Sequence, residues 1–268
     1  MNTGQTIRLR VGAGHNDRKM AFSLPAQWDA RICSARGGLE LTPGAVRRAF
    51  ARPVGIVPIR EAARGSRTAT ILVDDFRRPT PAEQLCHVVI DELNEAGIEK
   101  DGISAVLGNG AHRTMSPREC RRRLGTAADR IGQIVSHDAF SQDVTFVGAT
   151  KGGTPVLVNS VAGAADFSVS MSTVYPHTLT AWGGGAKMVV PGIAHVSSSY
   201  YHHTRMKRGD WGGDPRKSPA RQDIEEAAEL FGLNVSICCV MNEQKKLCGL
   251  RVGTPRKAHL SAIKLARK

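Results

Sequence analysis

Residues 68–79 read TATILVDDFRRP, and this stretch decides the fold. TATILV (68–73) is short, apolar and β-branched, as a strand covered on both faces of a parallel sheet must be. It runs into a polar end, Asp74-Asp75-Phe76-Arg77-Arg78-Pro79. From Pro81 to Ala96, Leu85, Val88, Val89 and Leu93 share one helical face, and Gly97 ends the helix. The same unit recurs downstream. ISAVL (103–107) predicts a strand and Gly108 to Arg113 its loop. Ser116 to Leu124 predicts a helix capped by Ser116, with Pro117 at its first position. IGQIVS (131–136) is a third strand, ending in His137-Asp138. VTFVG and TPVLVN pair around Lys151-Gly152-Gly153, and DFSVSM (166–171) leads to Pro176-His177. Further on, Arg221 to Phe231 is a helix with Ile224, Ala227, Ala228 and Phe231 on one face. Residues 233–242 and 246–253 form a hairpin, and a helix begins at Pro255.

Strand, polar loop and helix in alternation predict an α/β fold, a doubly wound and mostly parallel sheet. Ligands in such sheets bind beyond the carboxyl ends of the strands. Asp75, Arg78, His112, Arg113, His137 and His177 all fall there, so one sheet edge can gather them into a pocket. Residues 1–66 are patterned differently. Gln5 to Val11 and Met20 to Leu24 alternate as strands, and Pro43-Gly44 opens a short helix stopped by Pro53. This is a strand-rich lead-in expected to pack on the main domain.

The 268 residues allow one large domain or two small ones. No run approaches a membrane span, and the N-terminus lacks the apolar core of a signal peptide. Six cysteines without CxxC spacing read as reduced thiols in a cytoplasm, and no structural zinc site is expected. A net charge of +13 fits either a solvated basic surface or attraction of anions. Aromatic residues make up only 5%, which gives little to stack bases on. The reading favoured is therefore small anions rather than nucleic acid, with Arg121-Arg122-Arg123 and Arg205 to Arg208 as basic clusters.

Residues 177–203, HTLTAWGGGAKMVVPGIAHVSSSYYHH, hold four of the nine histidines. Three glycines, Gly183, Gly184 and Gly185, let backbone approach a ligand closely, and Lys187 follows them. The run looks like a phosphate cradle, yet no Ser or Thr follows Lys187 to hold magnesium, so an ATPase reading is poor. His202 and His203 are adjacent, so at most one faces a given metal. Asp75 and Arg78 read either as an ion pair closing a turn or as a hydroxyl acceptor and a clamp for a carboxylate or phosphate. His112 is open between structural and catalytic roles. His137 reads as structural or supporting.

Together these motifs resemble the nickel-dependent lactate racemase family over roughly residues 40–268. DFRRP from Asp75, GAHR ending in Arg113, His177 ten residues before Lys187, PGI at 191–193 and His203 sixteen residues after Lys187 carry the resemblance. DIEEAAELFGLNVSICCVMNEQKKLCGLRVGTPRKAH, from Asp223, continues it. The resemblance implies a racemase or epimerase acting at C2 of a small 2-hydroxy acid, by hydride transfer to a nickel pincer nucleotide. It implies that Lys187 tethers this cofactor through a thioamide, with Asp75, Gly184 and Gly185 also binding it. It implies His203 as nickel ligand, Arg78 on the substrate carboxylate, and His112 and His177 as acid and base on the two substrate faces. Ala181-Trp182-Gly183 stands where the family usually has Gly-Phe-Ser. The family's second, C-terminal domain is absent from this sequence. The chain is thus expected to be one cofactor-binding domain, 1–268, with 1–66 a lead-in. The alternative is a non-catalytic or partner-dependent subunit of a split racemase, a separate subunit supplying the second domain.

Overall fold

The computed structural model describes residues 5–11, 18–31, 33 and 37–268. β1 (Thr6–Val11) and β2 (Arg18–Ser23) form an antiparallel ribbon, followed by α1 (Pro43–Ala51) and the single turn α2 (Ile59–Ala62). The main unit then runs β3 (Ala69–Asp74), α3 (Ala82–Glu95), β4 (Ile103–Gly108), α4 (Pro117–Leu124) and β5 (Gln133–Ser136). A separate antiparallel pair follows, β6 (Val144–Ala149) and β7 (Pro155–Asn159), then the turn α5 (Ser160–Gly163) and β8 (Phe167–Thr173). Two two-residue strands, β9 (Pro176–His177) and β10 (Ala181–Trp182), precede α6 (Val196–Arg205) and α7 (Pro219–Phe231). β11 (Val235–Met241), β12 (Leu247–Gly253) and α8 (Pro255–Ala266) complete the chain.

The central sheet has the order β12-β11-β8-β3-β4-β5. All neighbours pair in parallel except β11 with β12. The expected doubly wound, mostly parallel sheet is present. All six residues of β3 are buried, which is why its sequence is a continuous apolar run rather than an alternation. Ile71 and Val73 face α3, through Leu85, Val89 and Leu93, and Phe50 of α1 joins that core. Leu72 and Val106 face the opposite layer, where Ile224 and Ala227 of α7 pack with Val189, Val190 and Ile193. Each such side chain, fully buried, contributes about 1.5–3 kcal/mol. α8 covers the β11–β12 end through Ala258, Ala262 and Ile263.

The chain moves outward from β3 to β5 and then returns to the other side of β3 with β8. The strand order reverses between β3 and β8, which opens a crevice at their carboxyl ends. α4 begins as its sequence predicts. The Ser116 hydroxyl accepts from the Glu119 N–H, and the Glu119 carboxylate reaches back to the Ser116 N–H. Residues 177–203, for which the sequence pattern predicts no helix, end in α6. VSSSYYHHTR carries few strong helix formers, so propensity hides it. His195 starts the helix: its Nδ1 accepts from the Ser197 N–H. Among the described residues, no helix is long and apolar enough to cross a membrane.

Candidate functional site

A cavity of about 370 Å³ lies at the reversal point, walled by the ends of β3, β4 and β8 and by α6. Asp75, Arg78, His112, Gly184, Lys187 and His203 line it. Six of the eight expected site residues therefore meet on one surface. Gly185 lies behind that wall, its N–H donating to Ser172 Oγ. His177 stands beside Lys187, with Nε2 3.0 Å from Nζ.

On the β3–β4 side, Asp75 accepts from the Arg77 backbone N–H at 2.9 Å and pairs with the Arg77 guanidinium, not with Arg78. Those hydrogen bonds hold its carboxyl below the usual range against the cost of burial. His112 Nδ1 stands 3.4 Å from Asp75 Oδ2, and the ring is otherwise exposed. The Arg78 guanidinium lies 4.9 Å from the centre of the Tyr175 ring. Among the described residues it has no carboxylate partner, so it faces the cavity as an available cation. Beneath them Asp74 is buried and takes Arg123 from α4 on Oδ1 at 2.6 Å and Thr80 on Oδ2 at 2.6 Å.

On the β8 side each functional nitrogen has a fixed partner. His177 Nδ1 accepts the N–H of Leu179 at 3.1 Å and of Thr180 at 3.4 Å. An accepting Nδ1 places the ring proton of a neutral imidazole on Nε2, where it can be donated to Lys187 Nζ when that amine is unprotonated. The electrostatics agree. Burial, then the cations of Arg221 and Arg78, push the Lys187 amine down to about 7. Burial and Lys187 push His177 down to about 4. His203 donates from Nδ1 to the Ser199 carbonyl at 2.6 Å, which leaves Nε2 as a bare lone pair. Partial desolvation holds its ring below the ordinary histidine range.

The glycine run is fixed from behind. Arg221, fully buried in α7, donates to the Gly184 carbonyl at 2.9 Å, and His259 of α8 holds the Gly183 carbonyl at 2.8 Å. Gly184 has φ +81°, and a Cβ there would stand 2.8 Å from the Thr173 carbonyl oxygen. Arg221 went unmarked in the sequence reading although it sits three residues before Ile224, on the apolar face of its helix. A charged residue at that phase was the available signal.

Besides His177, which meets Lys187 but does not itself line the cavity, two expected members do not reach it. His137 is buried and holds the Ala194 carbonyl through Nε2 at 3.0 Å. Arg113 turns outward to pair with Glu119, because the capping box brings that carboxylate within reach. The basic clusters are partly internal. Arg121 pairs with Asp129, Arg123 with Asp74, and Arg205 lies over Tyr201. His202 turns away from His203 into the core and binds Asp223 at 2.8 Å.

Could these residues hold a metal-bearing cofactor? Among the described residues, no group of three or more His, Cys, Asp or Glu side chains could hold a metal ion. Protein side chains alone do not build a metal centre here. The donor set, one bare imidazole nitrogen and one unprotonated amine on the same cavity, fits a group that is tethered covalently and brings its other metal ligands with it.

Residues 15–211 match the family model of the lactate racemase N-terminal domain. The lactate racemase of Thermoanaerobacterium thermosaccharolyticum is 25% identical over 250 residues, covering 90% of this chain and 58% of that protein. The lactate racemase of Lactiplantibacillus plantarum is 25% identical over 222 residues, covering 80% and 51%. The solved apoprotein of the Thermoanaerobacterium enzyme superposes with a TM-score of 0.76 at 23% identity, over 97% of this chain and 62% of that one. A Thermotoga maritima protein superposes with a TM-score of 0.67 at 19% identity, over 87% and 60%. The two superpositions establish the fold. The chain spans 58% and 51% of the two curated relatives it matches.

Proposed function

Since the chain belongs to the lactate racemase N-terminal domain family, we propose that it binds a nickel pincer nucleotide covalently and serves racemisation or epimerisation at C2 of a small 2-hydroxy acid. The observation that carries this reading is the Lys187 amine, 3.0 Å from His177 Nε2 and pushed by burial down to about 7, on the cavity that His203 lines. Acylation needs a free amine pair, and an ordinary lysine near neutral pH has almost none. His203 would take the metal through Nε2, with Asp75, Gly184 and Gly185 toward the nucleotide. When bound, the cofactor supplies the acceptor for the C2 hydride.

Arg78 would hold the substrate carboxylate. Reversing C2 requires a proton acceptor and donor on each substrate face. His112 enters the cavity from the β4 end and His177 stands on the β8 side, beside Lys187. Acylating Lys187 also changes His177. The amine would lose its basicity, and with it the positive charge that, after burial, helps hold that imidazole low.

A second reading rests on the extent of the match. The chain spans 58% and 51% of two relatives, and the cavity-lining Tyr200 is 70% exposed. Turnover is therefore proposed to need further polypeptide over the cavity, from the same protein or a partner subunit. Without it the chain is a cofactor-binding unit. Protein produced together with the cofactor's biosynthetic enzymes should carry a mass adduct on Lys187, located by peptide mass spectrometry. An unmodified Lys187 under those conditions overturns the reading. Racemisation assays with and without a co-encoded partner separate enzyme from subunit.

A further inference from the structure

Tyr175 lies two residues before His177. It is half-buried and lines the cavity, and its hydroxyl has no hydrogen-bond partner among the described residues. The Arg78 guanidinium carbon stands 4.9 Å from its ring centre, and the His177 ring centre is 6.2 Å away. Behind it, the Gly183 N–H donates to the Tyr175 carbonyl at 2.7 Å. A Cβ at Gly183 would stand 2.6 Å from the ring carbon that bears the hydroxyl. The absence of a side chain at position 183 is thus what makes room for the ring. The ring in turn backs the guanidinium of Arg78, which has no carboxylate partner among the described residues. Burial raises the phenol above its ordinary range, so it stays a hydrogen-bond donor at neutral pH.

We propose that Tyr175 is a substrate-orienting residue: its ring fixes the Arg78 guanidinium, and its hydroxyl gives a second point of attachment for the same carboxylate. This rests on the reading that the cavity takes a hydroxy acid. A flat cation held on an aromatic face keeps its N–H edge directed into the cavity. A donor beside that edge restricts rotation of a bound carboxylate, and so fixes which way C2 is presented to His112 and His177.

The test uses the full chain, with sodium L-lactate as the probe for the apoprotein and for the cofactor-loaded protein with its partner. Tyr175→Phe keeps the ring and removes the hydroxyl. Lactate affinity should fall about five- to tenfold, KM should rise by the same factor, and kcat should fall as well, because C2 is then less firmly presented to the two histidines. Tyr175→Leu also removes the stack and should weaken lactate a further several-fold. Tyr175→Phe should unfold at the wild-type denaturant midpoint, within error, because the hydroxyl has no partner to lose. Gly183→Ser should lower that midpoint in the wild-type background and cost less in Tyr175→Ala, since the three atoms nearest a Cβ there all belong to the ring. Wild-type affinity in both Tyr175→Phe and Tyr175→Leu, or no lactate binding by the wild type, overturns the proposal. So does equal cost of Gly183→Ser in both backgrounds. The Lys187 adduct is read separately by mass, so a failed lactate grip and a failed cofactor assignment are told apart.

Discussion

The β3–β4 wall of the cavity and the β8 wall face the same space, but they are held by different means. Asp75 is satisfied by its own turn, through Arg77 two residues away, while Arg78 and His112 reach the cavity with few ties. On the β8 wall each nitrogen is locked by a partner: His177 by two backbone N–H groups, Lys187 by His177, His203 by the Ser199 carbonyl. The first wall keeps its charges and attracts. The second is stripped of charge and holds lone pairs, which suits nucleophilic and ligating work. The contrast explains why a chain of net charge +13 can present an unprotonated lysine beside two arginines. Arg78 and Arg221 are the cations that, after burial, keep that amine neutral.

The largest effect that can break this contrast is at Lys187. Lys187→Arg keeps a cation but removes the free amine, because a guanidinium does not deprotonate in proteins. No adduct should form, and turnover of the loaded system should fall by roughly a thousandfold or more. An adduct that persists elsewhere in this variant would mean the tether is misassigned. The wild-type apoprotein offers a pH test of the same point. Lys187 is charged below its shifted value and free above it, so its labelling by an amine-reactive reagent should rise through about pH 7. A lysine side chain free in water reaches the unprotonated state only toward about pH 10.4. Labelling of Lys187 that rises only with the other lysines would remove the neutral wall.

Next come the two histidines, one from each wall. His112→Gln and His177→Gln should each lower kcat by about a hundred- to ten-thousandfold, as loss of a general acid or base does. Both should still carry the adduct, since neither forms the covalent bond. A variant with full kcat takes its histidine out of the chemistry. Beneath the first wall lies a different dependence. Arg123→Met leaves Asp74 buried without its cation and should cost about 3–5 kcal/mol in urea unfolding. A loss near that of an exposed pair would show that the carboxylate finds water instead.

How much of this could be read from the chain itself differs between the two walls for the same reason that their chemistry does. TATILV, ISAVL and the Ser116 cap are local signals, because strand burial and capping act within a few residues, and each element appears within a residue or two of its expected bounds. The gathering of Asp75, Arg78 and His112 follows from the strand-end rule and was legible in the same way. Arg113 and His137 obey that rule too but leave the cavity. Which way a side chain turns at a strand end depends on Glu119 in one case and the Ala194 carbonyl in the other. The β8 wall is tied by longer contacts. Arg221 meets Gly184 across 37 positions and His259 meets Gly183 across 76, distances at which no periodicity speaks. Helix α6 was hidden by its own composition, and its N-cap is a histidine rather than a common capping residue.

The smallest expected effect sharpens what locks the second wall. Ser199 offers two oxygens near His203, and only the backbone carbonyl takes the ring proton. Its hydroxyl is buried without a partner. Removing an unsatisfied hydroxyl forfeits no hydrogen bond, so Ser199→Ala should raise stability, by no more than about 0.5 kcal/mol. Nickel content of the loaded protein should match the wild type, because the carbonyl that sets the His203 tautomer stays in place. His203→Ala, one turn on, removes the lone pair itself and should lose the metal. If Ser199→Ala lost the metal as well, His203 would be oriented through the serine side chain, and the β8 wall would depend on replaceable side chains as the β3–β4 wall does.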